Sequence, residues 1–318
     1  MSTTSASTPA AAPDAPAPGP EDAPAKRDSL PVGLVKLARP KQWAKNVLVF
    51  AAPAAAGVLD NRQWAVDAMF AFVCFCLAAA GTYYINDARD VEPDRLHPKK
   101  CKRPVASGVV PVPVAYIGGA VLIVASIGLS LTVNAGLALT VAGYVALTTA
   151  YSSVLKQVAV VDLVAVAAGF VLRAVGGAAA TEIPISNWFF IVTSFGALFM
   201  VTGKRAAEVK EMGEGATEFR PVLAVYTPAY TAYLRAVSSG AVLMAYCLWA
   251  FEKADVATAA IPWYQLSILP FVMAVLRYAL VLEQGRGSAP EEIVLGDRPL
   301  QLIGLAWAIV FAIGVYAR

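Results

Sequence analysis

Residues 64–94 read WAVDAMFAFVCFCLAAAGTYYINDARDVEPD. From 64 to 85 the run carries one charge, Asp67, and is otherwise mostly Ala, Phe, Val and Cys. Crossing ~30 Å of hydrocarbon takes about 20 predominantly apolar residues, so this run predicts a transmembrane helix. Asn86, Asp87, Asp90 and Asp94 follow at once. A span that ends in acids delivers oxygen ligands to a membrane surface.

Working outward, eight further apolar segments appear, at 46–59, 112–133, 136–152, 158–179, 188–202, 236–251, 263–282 and 300–316. The expected fold is an all-α integral membrane bundle of nine transmembrane helices. A membrane barrel would show alternating strands of about ten residues, which these continuous runs exclude. Of 318 residues 58% are apolar and 15% charged, against about a quarter charged in soluble domains. The net charge of +3 gives no reason to expect a nucleic-acid partner.

Basic residues concentrate in the stretch before the first span, in 86–111, at Lys156, in 203–235 and in 283–299, leaving Arg62, Lys253 and Arg318 on the other side. Positive-inside bias then places the N-terminus and the long loops in the cytosol of a plasma (inner) membrane protein. Residues 1–30 are Ala, Pro, Ser and Thr without periodicity, so they read as a disordered cytosolic tail ahead of a membrane domain over 31–318. From Gly33 to Asn46 an interfacial helix is expected, with Pro40 starting a helix afresh. Trp43, Trp64, Trp188, Trp249 and Trp263 fall near expected span ends, where amphipathic rings are stable. Cys74, Cys76, Cys101 and Cys247 lack metal spacing and read as packing residues.

On a helix, Asn86, Asp87, Asp90 and Asp94 lie at about 0°, 100°, 40° and 80°, one face of hard oxygen ligands suited to Mg²⁺ shared with substrate phosphates. Arg95, His97, Lys99, Lys100, Lys102 and Arg103 come next, cations for a magnesium-bound polyanion. The only histidine, His97, reads as a hydrogen-bonding group for phosphate or loop backbone rather than as a metal ligand. A second cluster, GKRAAEVKE at 203–211, sets Lys204, Arg205, Glu208 and Glu211 within one helical arc, a mixture of signs that suits a phosphate and a ribose hydroxyl. Lys41 and Lys45 are a helical turn apart in RPKQWAKN at 39–46, and Tyr151, Ser152 and Lys156 close another span. Asp162, Gly169 and Arg173 share a helical line, the glycine allowing close approach of a neighbour. Arg173 and Arg277, charges inside spans, are functional candidates by default, although Arg277 has the option of snorkelling to the membrane edge.

With these residues in view, the NDxxDxxxD spacing of Asn86, Asp87, Asp90 and Asp94 resembles the first signature of the UbiA-type polyprenyl transferases. The fuller strings RPKQWAKN, NDARDVEPDRLHPKKCKRPVASG and YSSVLK are similar to one branch of that family, which transfers phosphoribosyl groups to polyprenyl phosphates. The likeness covers about residues 33–316. It implies a nine-span fold, a cytosolic Mg²⁺-dependent site, and transfer of 5-phosphoribosyl from phosphoribosyl diphosphate to decaprenyl phosphate with loss of pyrophosphate, on the way to cell-wall arabinan. Ring-prenylating relatives have a second aspartate-rich motif where this chain has Lys204, Arg205 and Glu208. Asp87, Asp90 and Asp94 are then the expected catalytic and metal residues, with Asn86 as a further ligand. Tyr83, Asn86, Lys41, Lys45, Arg103, Lys156, Arg173, Lys204, Arg205 and Glu208 are expected to bind the two substrates. Oligomeric state is left open. The rivals are a prenyltransferase using a prenyl diphosphate donor and a transporter of anionic metabolites.

Overall fold

Asn61 begins the helix that carries the first motif, its side chain accepting hydrogen bonds from the Gln63 and Trp64 amides at 2.9 and 3.3 Å. Asn134 and Thr227 cap two later helices in the same way. The structure, a computed structural model, describes residues 28–212, 221–257, 259–285 and 290–316. Most of the tail expected to be disordered lies outside those residues. In chain order the elements are α1 (Leu30–Ala38), a 3₁₀ helix (Pro40–Phe50), α2 (Ala51–Ala56), α3 (Arg62–Arg89), α4 (Val91–Leu96), α5 (Val112–Val133) and α6 (Ala135–Ser153). They continue as α7 (Val161–Ala180), α8 (Asn187–Met212), α9 (Pro228–Val256), α10 (Trp263–Leu266), α11 (Ile268–Glu283), α12 (Pro290–Gly296) and α13 (Arg298–Tyr316).

Among the described residues eight helices are long and apolar enough to span a membrane: α3, α5 to α9, the α10–α11 pair and α13. The segment expected at 46–59 is different. It belongs to the 3₁₀ helix and to the six-residue α2, which ends at Gly57 with φ 69°. Pro40 and Pro53 both lack an N–H, and no single regular helix forms there. Arg39, at φ 52°, separates α1 from the 3₁₀ helix, so the chain does restart at Pro40.

Large apolar side chains such as Leu131, Leu139 and Val164 point outward, whereas Asn46, Asp162, Arg173 and Arg205 are buried. Lipid facing an apolar exterior accounts for this inversion of the soluble pattern. Two close backbone approaches hold the first half together. A Cβ on Gly81 would stand 2.8 Å from the Gly119 carbonyl oxygen, and one on Gly119 would stand 2.9 Å from that of Gly81, so α3 and α5 meet backbone to backbone. A Cβ on Gly177 would overlap the Val49 carbonyl, which is how the 3₁₀ helix beds against α7. Gly169, the glycine singled out from the sequence, has only ordinary contacts, to Arg173 and Tyr144.

Short connections reverse the chain between spans, and side-chain bonds show which ends coincide. At one end Arg89 of α3 reaches Ser153 Oγ at 2.8 Å and the Ser152 carbonyl at 2.9 Å, and Arg277 grips Asp297. At the other end Asn134 Nδ2 donates to the Ala179 carbonyl at 2.8 Å and Trp188 Nε1 to Glu252 at 2.6 Å. The first end holds both charged clusters read from the sequence.

Gly177→Ala should destabilise the protein by about 1 to 3 kcal/mol, the range for overpacking, because the added carbon falls on backbone that cannot swing aside. Gly143→Ala, in open space, is the matched control. Thermal unfolding in detergent that separates the two variants by several degrees is the expected outcome.

Candidate active site

Asp87 lies in the last turn of α3 and is 2% exposed; Asp94 lies on α4 and is 3% exposed. The Oδ1 of Asp87 accepts from Arg39 Nη2 at 2.7 Å and from Arg103 Nη1 at 3.1 Å. Asp94 Oδ2 accepts from the same Arg103 Nη1 at 2.6 Å, and Lys100 Nζ stands 3.9 Å from its Oδ1. Arg39 also lies over the Tyr83 ring, 4.6 Å from its centre, a cation–π contact that steadies the guanidinium. Charge-assisted bonds of this kind are strong when buried.

The helical face expected from an unbroken wheel does not form, because α3 ends at Arg89 and α4 starts at Val91, with Asp90 as the hinge between them. Asn86 and Asp90 are half-buried at that break. Among the described residues no three of His, Cys, Asp and Glu are gathered as a metal-binding group. The expected ligand set is two buried carboxylates bridged by a guanidinium. The donor chemistry still fits a hard cation, since carboxylate and carboxamide oxygens are the ligands that such an ion takes.

His97 serves the loop backbone, as one of its two expected roles had it. Its Nδ1 accepts from the amides of Lys99 at 3.1 Å and Lys100 at 3.3 Å. Partial burial, and then the positive charge of Lys100, lower its pKa from the ordinary histidine value.

The second cluster centres on Arg205, which is 2% exposed and engaged on three sides. Its Nε donates to Asp162 Oδ2 at 3.0 Å, Nη1 to Glu208 Oε2 at 2.6 Å and Nη2 to the Tyr151 hydroxyl at 3.0 Å. Lys204 Nζ lies 3.8 Å from Glu208 Oε1. Asp162, fully buried, also accepts from the Tyr226 hydroxyl, which in turn accepts from the Val160 amide at 2.7 Å. Burial and that donation push the Tyr226 phenol well above the ordinary tyrosine range, so it remains a donor. Lys204 and Glu208 are the partly open members of the cluster, and Arg205 is its internal brace. The side chain of Glu211 lies outside the described residues.

Arg173 belongs to a third place. Its Nε donates to Asn46 Oδ1 at 2.7 Å, Nη1 to the Gly169 carbonyl at 2.6 Å and Nη2 to the Tyr144 hydroxyl at 2.9 Å, while Asn46 Nδ2 contacts Cys76 Sγ at 3.1 Å. Cys76 precedes Asp87 by three turns of α3, about 16 Å at 1.5 Å per residue. The structure therefore does not bring Arg173 to the acidic motif, and the shared line with Asp162 leads to two separate sets of partners. Lys41 and Lys45 also diverge, since on a 3₁₀ helix residues three apart eclipse. Lys45 meets Gln42 instead, Nζ to Oε1 at 2.5 Å, and Lys41 is exposed. Lys156 is half-buried in the short turn Leu155–Gln157. Arg277, suspected of snorkelling, makes a two-pronged pair with Asp297 at 3.0 and 2.7 Å.

The sequence reading missed Tyr144 and Tyr226 and left Asn46 without a partner. A polar Asn in an apolar segment was the one available signal for Arg173's partner; a tyrosine beyond the second cluster offered none.

Paired acids and basic side chains gathered at one end of a helical membrane bundle define an integral membrane protein equipped for anionic substrates. The chain belongs to the UbiA prenyltransferase family, whose model matches residues 46–294. It is 44% identical over 288 residues to the decaprenyl-phosphate phosphoribosyltransferase of Corynebacterium glutamicum, covering 89% of this chain and 87% of that protein. It is likewise 44% identical over 283 residues to the decaprenyl-phosphate phosphoribosyltransferase of Mycobacterium tuberculosis, covering 88% and 93%. Its fold is similar to that of a UbiA homolog from Archaeoglobus fulgidus solved bound to GPP and Mg²⁺, with a TM-score of 0.68 and 18% identity, covering 90% of this chain and 100% of that one.

Because the loop holds His97 in its neutral form, that contribution is full above the ordinary histidine range and is lost as pH falls through the lowered pKa. Exchange protection of the Lys99 and Lys100 amides, corrected for intrinsic rate, should drop only as pH falls below the ordinary histidine range. His97→Ala should weaken protection at neutral pH, match the wild type once the imidazole is protonated, and remove that step.

Proposed function

We propose that this protein transfers the 5-phosphoribosyl group of phosphoribosyl diphosphate to decaprenyl phosphate, releasing pyrophosphate, as a step toward decaprenylphosphoryl arabinose and cell-wall arabinan. What carries the reading is similarity at 44% identity, along nearly the whole chain, to proteins named for that reaction. The second cluster supports it, since its mixture of Lys204 and Glu208 suits a phosphate and a ribose hydroxyl better than a second metal-bound diphosphate.

An oxygen of the lipid phosphate attacks C1 of the ribose, the bond from C1 to the diphosphate oxygen breaks, and its electron pair leaves with pyrophosphate. The acceptor is anionic at neutral pH, so no general base is needed and the task is alignment and charge neutralisation. Asp87 and Asp94, with Asn86 and Asp90 at the helix break, are the residues that would hold Mg²⁺. That ion, when bound, supplies positive charge to the leaving diphosphate. Arg103, with Arg39 and Tyr83 beside it, lines the donor's diphosphate end. Lys204 takes the 5-phosphate and Glu208 a ribose hydroxyl, with Arg205 fixing Glu208. Lys41, Lys45 and Lys156 receive the lipid phosphate. Arg173 is reassigned as an internal anchor of the 3₁₀ helix.

The membrane placement is part of the same reading. Residues 40–56 are continuously helical, and at about 2.0 Å per 3₁₀ residue and 1.5 Å per α residue they reach roughly 30 Å, enough for a ninth crossing. The charged end, rich in Lys and Arg, faces the cytosol of the plasma membrane.

Purified protein in detergent with radiolabelled phosphoribosyl diphosphate and decaprenyl phosphate should form labelled lipid, lose that activity in excess EDTA and regain it with Mg²⁺. Consumption of a prenyl diphosphate without any need for phosphoribosyl diphosphate would overturn the proposal. Asp87→Asn should lower turnover at least a hundredfold. Lys204→Ala should raise KM for phosphoribosyl diphosphate about tenfold to a hundredfold, the worth of one charge-assisted phosphate contact, and leave KM for the lipid nearly unchanged.

A further inference from the structure

Val160 stands just before α7 with φ 68° and ψ −47°, a positive-φ conformation that a β-branched residue rarely adopts. Its side chain is exposed, so packing does not hold it there. The bond that does is from its amide to the Tyr226 hydroxyl at 2.7 Å. The same hydroxyl donates to Asp162 Oδ1. One phenol thus ties the strained turn to the carboxylate two residues later, and does so from the far side of a long connection, since Tyr226 lies between the 3₁₀ turn Pro221–Val225 and the start of α9.

From Asp162 the chain of contacts runs on without a gap. Asp162 Oδ2 holds Arg205 Nε at 3.0 Å, Arg205 Nη1 holds Glu208 Oε2 at 2.6 Å, and Glu208 Oε1 faces Lys204 Nζ at 3.8 Å. Tyr226, Asp162 and Arg205 are all buried, whereas the Lys204 and Glu208 side chains are 39% and 19% exposed. The buried members have no access to a substrate, and Glu208 is tied to them through Arg205. Tyr226 is also packed within the apolar cluster of Leu163, Ala167, Ala197, Val201, Val222 and Leu223, which fixes its ring and so the direction of its hydroxyl.

We infer that Tyr226 is a positioning residue for the donor subsite: through Asp162 and Arg205 it sets Glu208, and with it Lys204, in the orientation that receives the phosphoribosyl group. This rests on the reading of Lys204 and Glu208 given above. Phenylalanine at 226 keeps the ring and its packing but leaves the Val160 amide and one Asp162 oxygen without their partner. A buried group so stranded re-orients, and the shift passes to Glu208.

The test is a double-mutant cycle on the purified enzyme, with KM for phosphoribosyl diphosphate, KM for decaprenyl phosphate, kcat and thermal unfolding measured for Y226F, E208Q and the double variant. Y226F should raise donor KM about fivefold to twentyfold, change lipid KM less than twofold and lower kcat less than donor affinity. The double variant should lose little more donor affinity than E208Q alone, because both changes break one chain. Additive losses, or equal rises in both KM values with lowered unfolding temperature, would reduce Tyr226 to a packing residue and overturn the inference. If Y226F does not yield folded protein, D162N, which keeps the shape of the side chain, replaces it in the cycle with the same expectation. Normal donor KM in E208Q and Lys204→Ala would instead remove the donor subsite itself, and the inference with it; a donor defect in those two but none in Y226F sinks the inference alone.

Discussion

A charge buried inside an apolar bundle persists only with an opposite charge or several hydrogen bonds against it, and the loop-side end of this protein is arranged around that condition. Removing one partner from such a pair costs about 3 to 5 kcal/mol, a large share of the 5 to 15 kcal/mol that holds a domain folded. Asp162 and Arg205 meet the condition between α7 and α8, and Asp87, Asp94, Arg39 and Arg103 meet it among α1, α3, α4 and the loop that follows. Arg39 with Asp87 and Arg205 with Asp162 join segments 48 and 43 residues apart in sequence. The ends of the helices are therefore positioned by electrostatic matching as much as by side-chain packing.

The same matching prepares the chemistry. Two anionic substrates can meet only where positive charge is dense, yet a purely basic pocket would repel itself and unfold. Here the buried Arg205 is balanced by Asp162 and Glu208, and the partly open Lys100, Lys204 and Arg103 remain near the surface with carboxylates beside them. Exchange of an internal carboxylate for a phosphate oxygen keeps the count of charge contacts constant, so binding need not strip a cation of all its partners.

Composition and run length were enough to read the long apolar helices, because bilayer thickness sets a coarse requirement that a sequence states directly. The 46–59 segment escaped, since apolarity does not distinguish a 3₁₀ helix from an α-helix. Wheel angles gave direction about one axis and nothing about depth or continuity. They grouped Asp162 with Arg173, eleven residues apart and so about 16 Å apart along α7, and they carried a helical face through Asp90, where the chain breaks. The acids and bases themselves were legible by residue type and spacing. Their pairing was not, because Arg39 with Asp87, or Tyr226 with Asp162, is fixed by tertiary contacts between segments that no local pattern connects.

The unusual 3₁₀ helix has a reason in this geometry. Arg39 must reach Asp87 while Asn46 reaches Cys76 and Arg173, and both pairs of contacts lie along α3. From Asp87 to Cys76 the α-helix rises about 16 Å at 1.5 Å per residue. From Arg39 to Asn46 there are seven residues, which as an α-helix would span only about 10 Å but as a 3₁₀ helix, at roughly 2.0 Å each, span about 14 Å. The tighter-wound but longer-rising helix keeps step with α3 where a regular one would fall a full turn short. Long 3₁₀ runs are poor in hydrogen-bond geometry, so this one needs external support, which it has at Arg173 on one side and at the Gly177 carbon against the Val49 carbonyl on the other. Arg173 thus braces, through Asn46, the same 3₁₀ helix whose N-cap residue Arg39 meets Asp87 three turns away along α3.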